Sequence, residues 1–303
     1  MHLLDVSLVS CKIRKRNAFA LIMSVIADLF NEFRLRLEAL EHRLEGVVFS
    51  PVLMEEAWFR AAMQELKALV RDTRFEPIAE EIISSPYFLG KAQRLRSIYE
   101  LYEVFLETAT CLDHLQVSTG VGQGIFTNAP IEILKTSESA IAEAKAAGIK
   151  ATSRVAFVGS GPFPETALSL AHEFGCSVTC VDYNPEAVVL SSRLLKSWGM
   201  SERLPVFFRD AMDFSFEGFT HVWLAALARP KRQILERVCE TSAQDLTVVC
   251  RTVNGLREFL YESANDFVLE HFDIVDKVID LTRTSHYALV LRKRPPHSHV
   301  SQK

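Results

Sequence analysis

The chain has no CxxC pair, no excess of basic residues and no apolar run long enough to cross a bilayer, and each absence closes a class of function. Its six cysteines, at 11, 111, 176, 180, 239 and 250, lack metal-ligand spacing, and Cys176 and Cys180 flank an apolar run that reads as a buried strand. They are expected to be reduced core thiols, not a metal or redox site. Lys and Arg number 34 against 38 Asp and Glu, a formal net charge of −4 with the signs interspersed, so no basic face points to nucleic acid. The apolar segment Ala18 to Ile26 is too short to span a membrane. Lys12 to Arg16 precede it as in a signal peptide, but no small-residue cleavage site comes after it. The expectation is a cytoplasmic protein that works without membrane or nucleic acid. Residues 1–23 read as a ragged extension with Met23 as a candidate initiator, and residues 295–303, with His297 and His299, as a disordered, solvated tail.

Glycine is scarce in the first third, where apolar residues recur at helical spacing: Ile26, Leu29, Phe30, Phe33, Leu37, Leu40 and Leu44 form one face. Further helical stretches run Pro51 to Arg71, Phe75 to Ile83 and Lys91 to Leu115, with prolines at 51, 77 and 86 marking the joins. This is the punctuation of a helical bundle, assigned to residues 24–130 and ending in the glycine-rich loop VSTGVGQGIFTNAP. A helix from Ile131 to Ala147 leads into a second domain, residues 131–294. There, short apolar strands alternate with helical patterns: RVAFVG, SVTCVDY, LPVFFRD, HVWLAAL, LTVVCRT, FDIVDKVID and YALVLRK, with a helix expected over Gly255 to Asn265. Apolar strands joined through helices predict a parallel sheet covered on both faces, and the last two strands suit an antiparallel end. The expected fold is α/β: an N-terminal α-helical bundle plus a C-terminal Rossmann-like domain of the class I S-adenosylmethionine-dependent methyltransferase type. A nicotinamide dinucleotide fold shares its first half.

In such a sheet the loop after RVAFVG faces the ligand. Gly159 and Gly161 allow close backbone approach, but Pro162 and Pro164 remove two N–H donors and the third fingerprint glycine is missing, which weakens a pyrophosphate cradle. Asp182 closes the second strand, where it would accept from ribose hydroxyls, and Asp210 closes the third, where it would accept from an adenine amino group. The pair fits an adenosyl ligand without phosphates. The alternative is that both merely cap the next helix or turn, Asp182 standing before Asn184 and Pro185.

The stretches VAFVGSGPFPETALSLA, DYNPEA, HVWLAAL and CRTVNGLREFLY resemble nicotianamine synthase and its bacterial and archaeal relatives, the synthases of opine-type metallophores. Plant members carry a VGSGPLPLTS loop, an LAALVG strand and an RSAHGARAFLYP segment. The likeness is close over residues 150–293 and loose in the helical half. It implies a transferase that attacks the aminocarboxypropyl side of S-adenosylmethionine, not the methyl, and releases methylthioadenosine. The donor set it implies is Gly159, Ser160, Gly161, Pro162, Asp182, Tyr183, Asn184, Asp210, Ala211 and Ala225. S-adenosylmethionine enters as co-substrate, the acceptor is an amino acid or a donor-derived amine, and no protein-bound metal is expected. The histidines at 172, 221, 271 and 286 have no ligand spacing.

That chemistry needs a base, because an α-amino group with a reference pKa near ~8 arrives protonated. IYELYEVFLE resembles the family's EAEGxLE helix, in which Glu103 and Glu107 match and Glu100 does not, so these two are the candidate catalytic carboxylates. Arg251 matches the arginine of RSAHG and is expected to grip an acceptor carboxylate; a salt bridge to a nearby acid is the other reading. Asn254 stands where plant members have His, and GIFTNAPIE replaces a YYxNY motif, leaving Phe126 and Asn128 as the acceptor-side remnants. The alternative function is conventional methyl transfer on the same fold. A non-catalytic adenosyl-binding protein is a third reading, and the oligomeric state is open, a homodimer included.

Overall fold

The computed structural model describes residues 4–48, 50–117, 131–280 and 284–294. The chain divides into two compact units, Met1–Leu95 and Arg96–Lys303. In the first, α1 (Leu4–Arg43) is followed by α2 (Pro51–Glu55), α3 (Ala57–Arg71), a 3₁₀ turn over Thr73–Ile78 and α4 (Ala79–Ser84). The backbone is thus helical from Leu4, well before residue 24. Phe33, Leu37, Leu40 and Leu44 of the expected apolar face are buried, as are Phe59, Met63 and Leu66 of α3 and Phe75 of the 3₁₀ turn. The helix expected over Pro51 to Arg71 is broken at Glu56, whose extended backbone (φ −64°, ψ 127°) ends α2 and starts α3.

Helix α5 (Pro86–Val117) crosses the divide between the units at Leu95 and Arg96. The expected domain boundary lay at residue 130; the compact units separate inside α5, and Glu103 and Glu107 fall in the unit that contains the sheet. That unit continues with α6 (Ile131–Ala146), β1 (Arg154–Val158), α7 (Glu165–Phe174), β2 (Ser177–Asp182), α8 (Pro185–Ser197), β3 (Val206–Phe208), β4 (His221–Leu224), α9 (Lys231–Thr241), β5 (Thr247–Thr252), α10 (Asn265–His271), β6 (Phe272–Val278) and β7 (Tyr287–Lys293).

The seven strands lie in the order β3-β2-β1-β4-β5-β7-β6. The first five pair in parallel, while β7 runs antiparallel to both β5 and β6. The central strands β4 and β5 are buried along their whole length, which is why they read as unbroken apolar runs. Each fully buried Val or Leu there contributes about 1.5–3 kcal/mol relative to exposure. One element departs from expectation. The segment after β5 is not one helix over Gly255 to Asn265 but a 3₁₀ turn over Gly255–Phe259, and α10 starts only at Asn265. The segment is drawn back to the end of β5: Ala264 N–H donates to Thr252 Oγ1 (2.9 Å) and Asn265 Nδ2 to the Val253 carbonyl (3.0 Å).

Candidate active site

Strand β1 ends at Val158, and Gly159 comes next at φ +76°, a left-handed backbone that glycine adopts without strain. A Cβ there would stand 3.1 Å from Ala228 Cβ and 3.3 Å from Ala225 Cβ, so the loop after β1 packs closely on the loop after β4. Gly161 is also left-handed, at φ +67°. Its N–H donates to Asp182 Oδ2 (2.8 Å), while Asn184 N–H donates to Oδ1 of the same carboxylate (2.9 Å). Asp182 therefore pins the glycine loop to the start of α8. Burial raises its pKa and the backbone N–H groups around it oppose that rise.

The other donor-side residues separate into two groups. Ser160, Pro162, Ala211 and Ala225 are buried around the loops, whereas Tyr183 and Asp210 are exposed. Asp210 Oδ1 accepts from Met212 N–H (2.9 Å), and among the described residues no hydrogen bond ties Asp210 to the glycine loop. Asn184 is expected on the donor, but its Oδ1 is spent on Glu186 N–H (2.9 Å) and Ala187 N–H (3.4 Å), which makes it the N-cap of α8.

Two carboxylates on α5 reach this region. Glu103 and Glu107 lie four residues apart and so on one helix face. Tyr99 Oη donates to Glu103 Oε1 (2.7 Å) and Tyr261 Oη to Oε2 (3.2 Å), which fixes the carboxylate plane from both sides. Glu107 makes no hydrogen bond among the described residues, and a Cβ built at Gly161 would collide with its Oε2. The glycine is thus required twice, by its backbone angle and by the glutamate against it. Desolvation holds Glu107 well above the usual carboxylate range; Glu103, Glu165 and Asp182 add to the rise and Arg251 opposes it. Glu165, the first residue of α7, is pushed up to about 7, mainly by burial.

Arg251 is 3 % exposed and is not the free grip that was expected. Its Nε donates to Glu143 Oε2 (2.9 Å) and its Nη1 to Thr166 Oγ1 (3.1 Å), and its guanidinium carbon lies 5.3 Å from the Trp223 ring centroid. The salt-bridge reading is the one realised, because α6 brings a carboxylate that is itself buried. Only Nη2 is left, buried and without an acceptor among the described residues. Asn254 is exposed at the start of the 3₁₀ turn. Phe126 and Asn128 lie outside the described residues.

Sequence reasoning missed Tyr99, Tyr261, Glu143 and Glu165. Signals for three of them existed. Tyr99 stands one turn before Glu103, Tyr261 ends the FLY segment, and Glu143 lies on the apolar helix face of Ala140, Ala144 and Ala147. Among the described residues no group of three or more His, Cys, Asp or Glu side chains is placed to hold a metal ion. No described helix is long and apolar enough to cross a membrane.

A doubly wound sheet in this order, with a glycine loop after β1 pinned by an acid at the end of β2, defines a domain of the class I S-adenosylmethionine-dependent methyltransferase type. Within that class the family model described as nicotianamine synthase protein matches residues 129–296, more than half of the chain, and the chain belongs to this family. It is 31% identical over 121 residues to the L-histidine 2-aminobutanoyltransferase of Pseudomonas aeruginosa, covering 40% of this chain and 46% of that protein. It is 29% identical over 163 residues to the probable nicotianamine synthase 4 of Arabidopsis thaliana, covering 49% and 50%. The chain therefore spans about half the length of these curated relatives. The crystal structure of MtNAS in complex with MTA and tNA shares the fold, with a TM-score of 0.72 at 19% identity over 88% of this chain and 98% of that one.

Proposed function

We propose that this protein transfers the 3-amino-3-carboxypropyl group of S-adenosylmethionine to the amine of an amino acid, releasing methylthioadenosine and forming a nicotianamine-like or opine-type metallophore precursor. The observation that carries the reading is the seat of Glu107 against Gly161, one helical turn from the tyrosine-held Glu103. The two glycines let the loop after β1 lie close against the loop after β4 and against Glu107, and Asp182, whose carboxylate accepts from three backbone N–H groups, keeps one lone pair for a ribose hydroxyl.

In the transfer, the acceptor nitrogen forms a bond to the donor carbon beside the sulfonium as the carbon–sulfur bond breaks, and the bonding pair stays on sulfur as a neutral thioether. The nitrogen's proton goes to a carboxylate. Glu107 suits this role because its neighbours make it a stronger base than a solvated glutamate. Glu103, oriented by two phenols, suits the holding of an ammonium group. A relative named L-histidine 2-aminobutanoyltransferase supports histidine as the first acceptor to try.

Incubation with S-adenosylmethionine and histidine is expected to yield methylthioadenosine and a product heavier than the acceptor by one aminocarboxypropyl unit. Glu107→Gln is expected to bind the donor and lose turnover by about 10²-fold or more. Release of S-adenosylhomocysteine instead would establish methyl transfer and sink the proposal.

A further inference from the structure

Lys231 is a cationic side chain in the core that the proposed chemistry does not use. It is the first residue of α9 and is fully buried, at 0 % exposure. Its Nζ donates to the carbonyls of Ala226 (2.6 Å) and Ala228 (2.9 Å), both in the turn after β4. The same residue's backbone N–H donates to both carboxylate oxygens of Glu262, each at 3.3 Å. Just before it in the chain, Arg229 is ion-paired with Glu100 of α5.

The turn so held is the one that backs the glycine loop. Ala225 N–H donates to the Val158 carbonyl (3.0 Å), Ala228 N–H closes the turn on the Ala225 carbonyl (3.2 Å), and the Cβ atoms of Ala225 and Ala228 are the first atoms a Cβ at Gly159 would meet. Inward-facing carbonyls in a short turn have no strand to bond, and a buried acceptor must find a donor. A lysine whose ammonium is desolvated is an expensive donor: burial pushes its pKa down to about 8. A water would satisfy two carbonyls at less cost, so fixing the turn is what the ammonium adds.

We propose that Lys231 is a positioning residue for the donor: its ammonium clamps the Ala225–Ala228 turn against Gly159 and so sets the wall on which the adenosyl group of S-adenosylmethionine rests. This deepens the proposed function and rests on it. Lys231 touches neither substrate. Its removal acts on donor affinity and leaves the acceptor side and the carboxylates of α5 in place.

The test is calorimetric titration of the full chain with S-adenosylmethionine, together with steady-state rates, for Lys231→Met and Glu262→Gln. Lys231→Met is expected to raise the donor Kd roughly tenfold, which corresponds to about 1.4 kcal/mol, while the acceptor KM stays within about twofold of wild type, well under the tenfold donor effect. Glu262→Gln keeps the buried ammonium and loosens only its backbone anchor, with an expected rise in donor Kd of about threefold. A melting point that falls while donor Kd stays unchanged would assign Lys231 a purely structural role and overturn the inference. Should Lys231→Met fail to fold, an unchanged donor Kd in Glu262→Gln overturns it equally. A wild-type chain that binds no S-adenosylmethionine would instead defeat the proposed function, and the inference with it.

Discussion

Replacing Gly161 by alanine perturbs two things that can be separated. The first is the backbone: at φ +67° an L-residue with a Cβ is strained by roughly 1–2 kcal/mol. For a chain of this size that strain lowers the melting temperature by about 2–8 °C. The second is the carboxylate of Glu107, whose Oε2 occupies the space that the new Cβ would take. Because the atom displaced is the far end of a flexible side chain, the fold survives and the glutamate moves. The Gly161 N–H that holds Asp182 Oδ2 at 2.8 Å is disturbed with it.

A misplacement of about 1 Å at a reacting group is enough for a rate loss near 10²-fold. Gly161→Ala is therefore expected to lose methylthioadenosine release by about that factor while melting only a few degrees early. Repeating the substitution in Glu107→Ala isolates the contact, since only the backbone strain then remains. The coupling in unfolding free energy between the two positions is expected to exceed about 0.5 kcal/mol, the limit to which independent sites add. Equal stability losses in the two backgrounds, with full turnover in the single variant, would refute the seat of Glu107 on the glycine loop.

Two further outcomes are expected from the buried acids. The folded pKa of Glu165 is raised from 4.5 to about 7, so the folded state holds its proton more tightly than the unfolded chain. Wild type then loses stability as pH rises from 4.5 to 7, and Glu165→Gln gains over it across that window. The gain is about 3 kcal/mol and constant above pH 7; denaturant unfolding at pH 4.5 and 8 measures it, and a pH-independent difference would contradict it. Glu143→Gln strands the Arg251 guanidinium in a site where both side chains are nearly inaccessible. That substitution is expected to cost about 3–5 kcal/mol in the same assay, with part of the loss recovered in Glu143→Gln/Arg251→Met; a loss below about 1 kcal/mol would show that Arg251 does not depend on the pair.

The sheet was legible because its information is local. Runs such as VAFV and TVVC can be buried on both faces only in a covered parallel sheet, and each is separated from the next by enough chain for a crossover helix. The segment after β5 was not legible for the opposite reason. Its apolar residues suit a helix, but Thr252 and Val253 capture the chain at Ala264 and Asn265, and that competition is tertiary. The division of the chain inside α5 is equally invisible in helical periodicity, which runs unbroken through Leu95 and Arg96.

In the site, legibility depended on whether a residue acts through its backbone or through a distant partner. Gly159, Gly161 and Asp182 could be read because a strand-end loop has few conformations, and the bond from Gly161 N–H to Asp182 lies within one β-α-β unit. Arg251 could be read only as a choice between a ligand grip and a salt bridge, since Glu143 is 108 residues away in sequence. Tyr261, 158 residues from Glu103, is the same case.

What the structure adds to the sequence is a charge balance. Glu107 stands among Glu103, Glu165 and Asp182, and Arg251, the cation that opposes their effect on it, is bonded to Glu143. A carboxylate in that setting binds a proton more tightly than a solvated glutamate does. On the proposed reading the donor brings a sulfonium and an ammonium against one carboxylate, a net charge of +1. A positive charge entering beside clustered carboxylates favours their ionised forms and lowers the pKa of Glu107. On that reading the donor's charge and the clustered carboxylates act on Glu107 in opposite directions, so its basicity in the transfer depends on the donor that sits beside it.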